Sequence, residues 1–399
     1  MLFGCRGKPA TNKHRMNNES SNFATRLREL IGNRQSAIGN SQFSELALEL
    51  FALQFKCNPA YRKICEARKG TPQTVKHWPQ IPAVPTAVFK ELELTSLAPE
   101  ERTAVFHSSG TTEQPPSRHF HCAESLAVYE SSLWSWFSEY FQLPISNFHS
   151  PANGAGALEK LAIGNWQLAI LTPPPEQVPH SSLVHMFETV RQKTGGAGVL
   201  ASRAGFFGKL AADGAWALDF EATLAALTDG PKLKTQTQKL ILGTAFSFVH
   251  LLDYLVERDL RFELPPGSRV LETGGYKNRS RTLAKAELHA LIAERMGVPR
   301  ENIVCEYGMS ELSSQAYDSG IHPRAFRFPP WVRVQIVSPE TGCEVAEGET
   351  GLIRIFDLAN VFSVVAIQTE DLGIRRGEDF ELVGRAQLAE PRGCSLMNA

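Results

Sequence analysis

The chain has 399 residues, of which 43% are hydrophobic, so it is long enough for one large domain or two coupled domains with a sizeable core. Its 41 Lys and Arg residues nearly balance its 42 Asp and Glu residues, which argues against a general positive field for nucleic acid or an anionic membrane surface. No apolar run approaches the length that crosses a bilayer and no signal-peptide core is present. We therefore predict a cytoplasmic protein without a membrane span.

The cysteines are scattered along the chain without a CxxC pair. There are seven of them: Cys5, Cys57, Cys65, Cys122, Cys305, Cys343 and Cys394. This spacing fits neither a zinc motif nor a disulfide framework, and it predicts that most of these residues are buried as small apolar side chains in a reducing compartment.

The first 90 residues predict a polar segment, then helices, then an extended arm. Residues 1–40 are polar with an early cluster of basic residues, which predicts a disordered leader, with a targeting peptide as the alternative. Residues 43–67 carry a broad apolar face at helical spacing, but Pro59 divides it into two helices. Because prolines recur through residues 78–85, that stretch is predicted to be an extended arm across the core.

The middle of the chain alternates buried strands, glycine-containing loops and helices, which is typical of a parallel sheet. The predicted strands and helices are 239–244, 249–257, 269–273, 282–296 and 302–306. Ligands of such sheets bind beyond the carboxyl ends of the strands. From residue 331 onward apolar and polar residues alternate, which predicts an antiparallel β region. We therefore divide the chain into an α/β core, 41–330, and a β region with a C-terminal tail, 331–399.

A hydroxyl-rich loop over residues 107–115 follows a short apolar strand. It contains Ser108, Ser109, Gly110, Thr111 and Thr112. Glycine allows the backbone to turn its N–H groups towards one centre, and the hydroxyls add small donors, so the loop is a candidate phosphate site. Seen alone it is more typical of a surface turn, and it lacks the Gly-Lys-Ser/Thr ending of a P-loop.

Three further segments follow in the order of a known motif series. They are Gly274-Gly275 after a buried strand, Tyr307-Gly308-Met309-Ser310-Glu311 after the next strand, and Thr369 to Gly373 followed by Gly384-Arg385. Each segment alone could be a strand-end turn or a surface carboxylate. Together with the hydroxyl loop they resemble the acyl-adenylate-forming superfamily, which activates carboxylic acids with ATP.

The resemblance is closer to the LuxE-type acyl-protein synthetases, the ligase components of bacterial fatty-acid reductase complexes. It is carried by residues 81–90, the hydroxyl loop, residues 272–277 and the ending Arg392-Gly393-Cys394-Ser395. The resemblance implies an adenylate-forming α/β core of layered sheets and helices with a C-terminal antiparallel β region. It also implies ATP and Mg²⁺ as cofactors, a fatty acid as substrate and an acyl-reductase as partner, with no nucleic acid.

The same resemblance implies a role for each motif residue. The phosphates of ATP would lie against Ser108, Ser109, Gly110, Thr111 and Thr112. Adenine and ribose would contact Gly274, Gly275, Tyr307, Gly308, Asp371 and Arg385. Mg²⁺ would bind Glu311, since hard cations prefer anionic oxygen ligands, and Asp371 would accept from the ribose hydroxyls.

Two departures from the superfamily pattern bear on the mechanism. Residues 113–116 replace the usual second glycine and lysine of the phosphate loop, so either Arg118 compensates or triphosphate binds more weakly. Only residues 386–399 follow Arg385, so we expect the mobile C-terminal lid subdomain of full-length adenylating ligases to be absent. That expectation puts ordinary ligation to CoA in doubt.

A thiol of the chain itself could replace CoA. The resemblance implies that Cys394 accepts the acyl group, and neighbouring Arg392 would lower the pKa of its thiol. Cys305 is the rival acceptor, but its apolar strand predicts a core position. The sequence thus predicts a fatty-acyl-protein ligase that supplies a reductase. The alternatives are a ligase acting on CoA or an acyl carrier, and an inactive nucleotide-binding scaffold.

Overall fold

The computed structural model describes residues 10–33, 38–108, 115–141, 166–195, 205–212, 214–228, 237–274, 281–318, 320 and 324–386. Its helices are α1 (Ala10–Gly32), α2 (Asn40–Cys57), α3 (Pro59–Ala67), α4 (Val88–Glu91), α5 (Ala123–Tyr140), α6 (Ser182–Gly195), α7 (Phe220–Leu227), α8 (Ala245–Glu257) and α9 (Lys285–Met296). Short 3₁₀ turns cover Trp78–Gln80, Pro99–Glu101 and Arg300–Asn302.

The strands divide into a large mixed sheet and two small hairpins. They are β1 (Val84–Pro85), β2 (Ala104–His107), β3 (Arg118–His121), β4 (Trp166–Ile170), β5 (Gly205–Phe206), β6 (Gly208–Leu210), β7 (Trp216–Leu218), β8 (Gln238–Thr244), β9 (Arg269–Thr273), β10 (Ile303–Tyr307), β11 (Ala316–Asp318), β12 (Phe326–Arg327), β13 (Val332–Val337), β14 (Thr350–Asp357), β15 (Ala366–Arg376) and β16 (Asp379–Arg385). Within the described residues the large sheet has the order β13-β14-β15-β16-β12-β11-β10-β9-β8-β4-β5, and β1 pairs with β15.

Strands β5, β4, β8, β9 and β10 run parallel to one another in the large sheet. The pairs along the rest of the sheet order, from β10–β11 to β14–β13, are antiparallel. Strand β8 is apolar on both faces because Leu240 and Leu242 pack into one hydrophobic cluster while Ile241 packs into another. The second cluster includes the inner faces of α8 and α9. Because helices cover both faces of these parallel strands, the strands have continuous apolar sequences. The predicted α/β core and the antiparallel region are therefore both present.

The prediction of a disordered polar leader over residues 1–40 is wrong for the part that α1 occupies. Phe23, Leu27 and Ile31 are each at most 2% exposed and lie on one stripe of that helix. Ser135 of α5 donates a hydrogen bond to the carbonyl of Ile31 at 3.2 Å. The helix forms because its narrow apolar stripe, at intervals of four residues, is buried against α5 although its other faces are polar.

The predicted break in the next helix and the predicted extended arm are both found. Asn58 separates α2 from α3, and its side chain accepts from the backbone N–H of Tyr61 at 3.1 Å as an N-cap. The proline-rich arm is extended apart from one 3₁₀ turn, and its Val84 pairs in parallel with Ile367 of β15. No described helix combines the length and the apolar character needed to cross a bilayer.

A buried glutamine on α2 connects this helix to the turn between β14 and β15. The Gln54 amide nitrogen donates to the carbonyls of Asn360 and Val361 at 2.7 and 3.2 Å. Its amide oxygen accepts from the backbone N–H of Val365 at 2.8 Å. Because the turn is buried, its peptide groups need protein partners, and Gln54 supplies three of them.

Replacing this glutamine tests the connection. In Gln54→Leu the Val361 carbonyl and the Val365 N–H lose their partners, and the Asn360 carbonyl keeps only the Ser363 N–H. We therefore expect the free energy of unfolding to fall by about 2–4 kcal/mol. Urea denaturation followed by tryptophan fluorescence measures the change. The matched control is Gln73→Leu at an exposed position, for which we expect less than about 0.5 kcal/mol. Equal midpoints for the two variants would contradict this account.

Candidate active site

The parallel strands end at one edge of the sheet, where the predicted motifs begin. In the register of β8, β9 and β10, Thr244 lies beside Thr273 and Thr273 beside Glu306. Gly274 follows β9 directly, and the irregular loop 308–315 follows β10. A parallel sheet exposes its strand-end loops at this edge, so the arrangement suits a ligand that spans several loops.

Tyr307, Asp371 and Arg385 form a polar cluster between this edge and the antiparallel strands. The Tyr307 hydroxyl donates to Asp371 Oδ2 at 2.9 Å, and Arg385 Nε lies 3.6 Å from Asp371 Oδ1. Burial raises the pKa of Asp371 although Tyr307 and Arg385 act in the opposite direction. Burial and the neighbouring Asp371 raise the pKa of Tyr307 well above its usual range, so its hydroxyl stays a donor.

The two ends of the hydroxyl loop meet beside the loop 308–315. The backbone N–H of Ser117 donates to Ser108 Oγ at 2.9 Å, which closes the base of the loop. The hydroxyls of Ser117 and Ser310 are 3.3 Å apart, and Ser310 in turn donates to Glu311 Oε2 at 3.0 Å. One chain of hydroxyls thus connects the base of the hydroxyl loop to the carboxylate of Glu311.

Buried side chains from three other segments hold the loop 308–315 in place. His119 Nδ1 lies 2.8 Å from the carbonyl of Ser310, and burial lowers the pKa of His119 to about 4, so the ring is neutral and donates this bond. Asn360 Nδ2 donates to the carbonyl of Glu311 at 3.0 Å. The Asp357 carboxylate accepts from the backbone N–H of Ser313 at 3.0 Å.

Two glycines lie at this edge: Gly274 has a backbone conformation that favours glycine, and a side chain at Gly308 would displace a neighbouring carboxylate. Gly274 has a φ of 68°, which is the left-handed region that favours glycine. A Cβ atom at Gly308 would overlap the carboxylate of Glu306. The backbone of both loops can therefore lie close to a flat ligand such as a nucleobase.

Glu306 is a carboxylate at the strand ends whose importance the sequence did not indicate. It accepts a short hydrogen bond from the Thr273 hydroxyl. Burial raises the pKa of Glu306 from 4.5 to about 7, with the nearby charge of Glu272 adding to the effect. Around neutral pH this group is therefore partly protonated. It lies between Gly274, which follows β9, and Tyr307, which ends β10.

The structure brings Tyr307, Asp371 and Arg385 into one cluster, and it brings Ser108 to Glu311 through two serines. Gly274 and Gly308 lie on the two neighbouring strand-end loops. The candidate residues outside the described part of the chain are Ser109, Gly110, Thr111, Thr112, Gly275 and Cys394. The ligand roles of all the candidates remain predictions.

Sequence reasoning missed the residues that support these candidates. They are Gln54, Ser117, His119, Glu306, Asp357 and Asn360. Proximity to a motif could have indicated Glu306, which directly precedes Tyr307. The others are common polar residues far from the motifs in sequence, and no pattern marks them.

Comparison with known proteins gives one family and two curated relatives. The family model described as "Acyl-protein synthetase, LuxE" matches residues 199–399. The long-chain-fatty-acid–luciferin-component ligase of Vibrio harveyi is 23% identical over 367 residues, covering 88% of this chain and 86% of that protein. The ligase of the same name from Aliivibrio fischeri is 27% identical over 195 residues. That alignment covers 46% of this chain, and this chain spans only 50% of that protein.

Solved structures with a similar fold are adenylate-forming ligases. A 2-hydroxyisobutyryl-CoA ligase in an open conformation with 2-HIB-AMP and CoA superposes with a TM-score of 0.60 at 13% identity, covering 87% of this chain and 69% of that chain. The same ligase in the postadenylation state with 2-HIB-AMP gives 0.58 at 13% identity, with coverages of 87% and 67%. At this identity the likeness concerns the fold, and it confirms the predicted adenylate-forming core.

The raised pKa of Glu306 makes a pH-dependent contribution to stability that can be measured. The folded state binds this proton more tightly than the unfolded state, so stability is full below about pH 4.5 and is lost as the pH rises towards 7. Allowing for partial exposure, we expect the free energy of unfolding to fall by about 2 kcal/mol over that range. Glu306→Gln should lose this component and be the more stable protein at pH 8.

Urea denaturation of both proteins at several pH values gives the difference directly. Glu301→Gln, which removes a carboxylate at an exposed position, provides the control. Parallel profiles for wild type and Glu306→Gln would refute a raised pKa at this position.

Proposed function

The chain belongs to the LuxE acyl-protein synthetase family, and we propose that it activates a long-chain fatty acid with ATP and transfers the acyl group to a cysteine. Acyl-protein synthetases are ligases, as the sequence predicted. In the first step the fatty-acid carboxylate attacks the α-phosphorus of ATP, which forms acyl-AMP and releases pyrophosphate. In the second step a thiolate attacks the acyl carbon, which forms a thioester and releases AMP.

The observation that carries the proposal is the convergence of separate motifs at the carboxyl ends of the parallel strands. Tyr307 and Asp371 share a hydrogen bond of 2.9 Å across the sheet, although 64 positions separate them in sequence. A carboxylate accepts from vicinal hydroxyls, so the free lone pairs of Asp371 suit the ribose of ATP. Arg385 Nε lies 3.6 Å from the other carboxylate oxygen of Asp371 and favours the charged form, against the effect of burial.

The phosphates of ATP would lie along the hydroxyl chain from Ser108 to Glu311. Glu311 is only 5% exposed and keeps one carboxylate oxygen within reach of the Ser310 hydroxyl, a donor set suited to a hard cation. Mg²⁺ held there would offset the charge that develops on the phosphate oxygens. Ser108 and Ser117 fix the ends of the loop whose hydroxyls and N–H groups would bind the phosphates.

Among the described cysteines, the rival acceptor Cys305 is unsuited to acyl transfer. Its side chain is 0% exposed, and its sulfur donates to Glu272 Oε2 at 3.1 Å. Burial raises the pKa of the Cys305 thiol well above its usual range, which suppresses the nucleophilic thiolate. We therefore assign the acceptor role to Cys394 in the C-terminal tail, on the strength of the family motif that surrounds it.

The final recipient of the acyl group is proposed to be a separate reductase-type protein. The support is that both curated relatives are named as ligases of a luciferin component. A thioester keeps the acyl group activated, so a second enzyme can accept it without further ATP. This transfer makes the chain one component of a multi-protein system.

Changing the ribose-binding carboxylate tests the ATP site. Asp371→Asn keeps the size of the side chain but removes the charge that accepts from the ribose, so we expect the KM for ATP to rise about tenfold. Acid-dependent ATP–pyrophosphate exchange measures it. The neighbouring exposed residue gives the matched control, and Glu370→Gln should leave the KM unchanged. A normal KM in Asp371→Asn would remove the ribose assignment, and an absence of exchange in the wild type would indicate a nucleotide-binding scaffold.

Acyl labelling tests the acceptor. Incubation of the wild type with ATP and a radiolabelled long-chain fatty acid should leave label on the denatured protein, released by hydroxylamine as expected for a thioester. Cys394→Ser should lose this label yet retain ATP–pyrophosphate exchange, because only the second step needs the thiol. Exposed Cys343 gives the control, and Cys343→Ser should label normally. Label in Cys394→Ser would contradict the assignment, and label appearing only on added CoA would favour the CoA ligase.

A further inference from the structure

Three chemically matched side chains meet in the interior behind the candidate ATP site. Glu272 on β9 and Cys305 on β10 are register neighbours on adjacent parallel strands, and His289 reaches them from α9. Their exposures are 2%, 0% and 3% respectively. None of the three belongs to the proposed ATP site, so a separate role has to explain why they are gathered here.

The three donor atoms surround one point at metal-binding distance. Cys305 Sγ lies 3.1 Å from Glu272 Oε2 and 3.7 Å from His289 Nε2, and the latter two atoms are 3.5 Å apart. A tetrahedral zinc ion with bonds of about 2.0–2.3 Å requires ligand atoms about 3.3–3.6 Å apart. We propose that Glu272, His289 and Cys305 form a binding site for a zinc-type divalent cation, with water in the fourth position.

The ligand types support the same cation class. Thiolate and imidazole favour zinc over magnesium or calcium, and a carboxylate completes sets of this kind. The three residues contribute their atoms from two strands and one helix, so their positions are fixed by the fold and need no flexible loop. Preformed ligands of this kind avoid most of the ordering cost of binding.

Two positively charged side chains near the proposed ligands would compete with a bound cation. Arg324 Nη1 lies 3.4 Å from the Cys305 sulfur, but it is paired with Asp318 at 2.8 Å. Lys285 Nζ lies 3.9 Å from the Glu272 oxygen and is the counter-ion of that carboxylate when no metal is bound. Lys285 also interacts with Cys305, so its ammonium group has to turn towards solvent when a dication neutralises Glu272 and the Cys305 thiolate; the side chain is 45% exposed.

A cation bound at this point would hold together the strand ends from which the loops of the candidate site begin. Glu272 and Cys305 each stand one or two residues before the ends of their strands, where Gly274 and Tyr307 begin the candidate site. Because the ligands join both strands to α9, the cation would stabilise the folded state and not take part in the chemistry. The inference therefore holds independently of the proposed acyl transfer.

Metal content of the full chain tests the proposal. Protein incubated with excess zinc and then desalted should retain about one zinc per chain by mass spectrometry of the metal. With cobalt in place of zinc, a thiolate-to-metal charge-transfer band should appear in the near-ultraviolet. Zinc should also raise the Tm of the metal-free protein by several degrees, because it binds the folded state.

Four variants separate the site from other metal binding. Cys305→Ser and His289→Gln should lose the retained zinc and the zinc-dependent rise in Tm, whereas Cys343→Ser should keep both. Lys285→Met should bind zinc at least as tightly as the wild type, because it removes the competing ammonium. If Cys305→Ser fails to fold, the cobalt spectrum of His289→Gln and of the wild type still decides.

Several results would overturn the proposal. They are retention of less than about 0.1 zinc per chain by the wild type, cobalt spectra without a thiolate band, and equal zinc retention in Cys305→Ser or His289→Gln. Loss of zinc from Lys285→Met would also count against it, since the lysine would then be needed for the site. Without a cation, the three residues form a thiol–carboxylate–imidazole cluster satisfied by Lys285.

Discussion

Burial of the irregular loop after β10 is the constraint on which the candidate site depends. Residues 310–315 are buried without belonging to a helix or strand, so most of their peptide groups lack the regular partners that a helix or a sheet provides. Each buried N–H and C=O must find a partner elsewhere, because an unpaired one costs roughly as much as a lost hydrogen bond. Asp357, Asn360 and His119 provide such partners. The loop therefore has one conformation only when these segments are in place.

This constraint couples folding to the geometry of the site. Asn360 donates from its side chain to the carbonyl of Glu311, and its own carbonyl accepts from the Gln54 amide. The position of the Glu311 carboxylate is thus determined by a helix near the amino terminus and by a turn between two antiparallel strands. The hydroxyls of Ser117 and Ser310 meet although 193 positions separate them in sequence. A site built from such distant segments forms only when the whole domain has folded.

Much of the fold could be predicted from the sequence because its signals are local. The division at Asn58, the apolar run of β8 and the alternation after Trp331 each reflect a property of the segment itself. The prediction of a disordered leader was wrong for α1 because the local signal there is weak. The stripe of Phe23, Leu27 and Ile31 is narrow, and the polar residues around it outweigh it in composition. Burial against α5 decides its structure, and composition does not report that contact.

The candidate site was predictable to the extent that its residues lie in motifs. The motif residues Tyr307 and Asp371 were identified, and the structure brings them into contact. Gln54 and Asp357 were not identified. In the sequence, a buried polar residue that pairs with distant peptide groups cannot be distinguished from one that faces solvent. Only tertiary structure distinguishes them, by giving each a partner that lies far away in sequence.

The cysteines also show that chemical roles depend on neighbours that the sequence does not reveal. The apolar strand around Cys305 correctly predicted a core position. It gave no sign that Glu272 and His289 would lie beside the thiol, because the three residues are 17 and 16 positions apart in sequence. Burial makes that thiol a poor nucleophile, and it is the carboxylate and the imidazole beside it that suggest a metal ligand set. An acyl acceptor needs the opposite setting, namely exposure and a neighbouring positive charge. The two proposed roles therefore require two different cysteines.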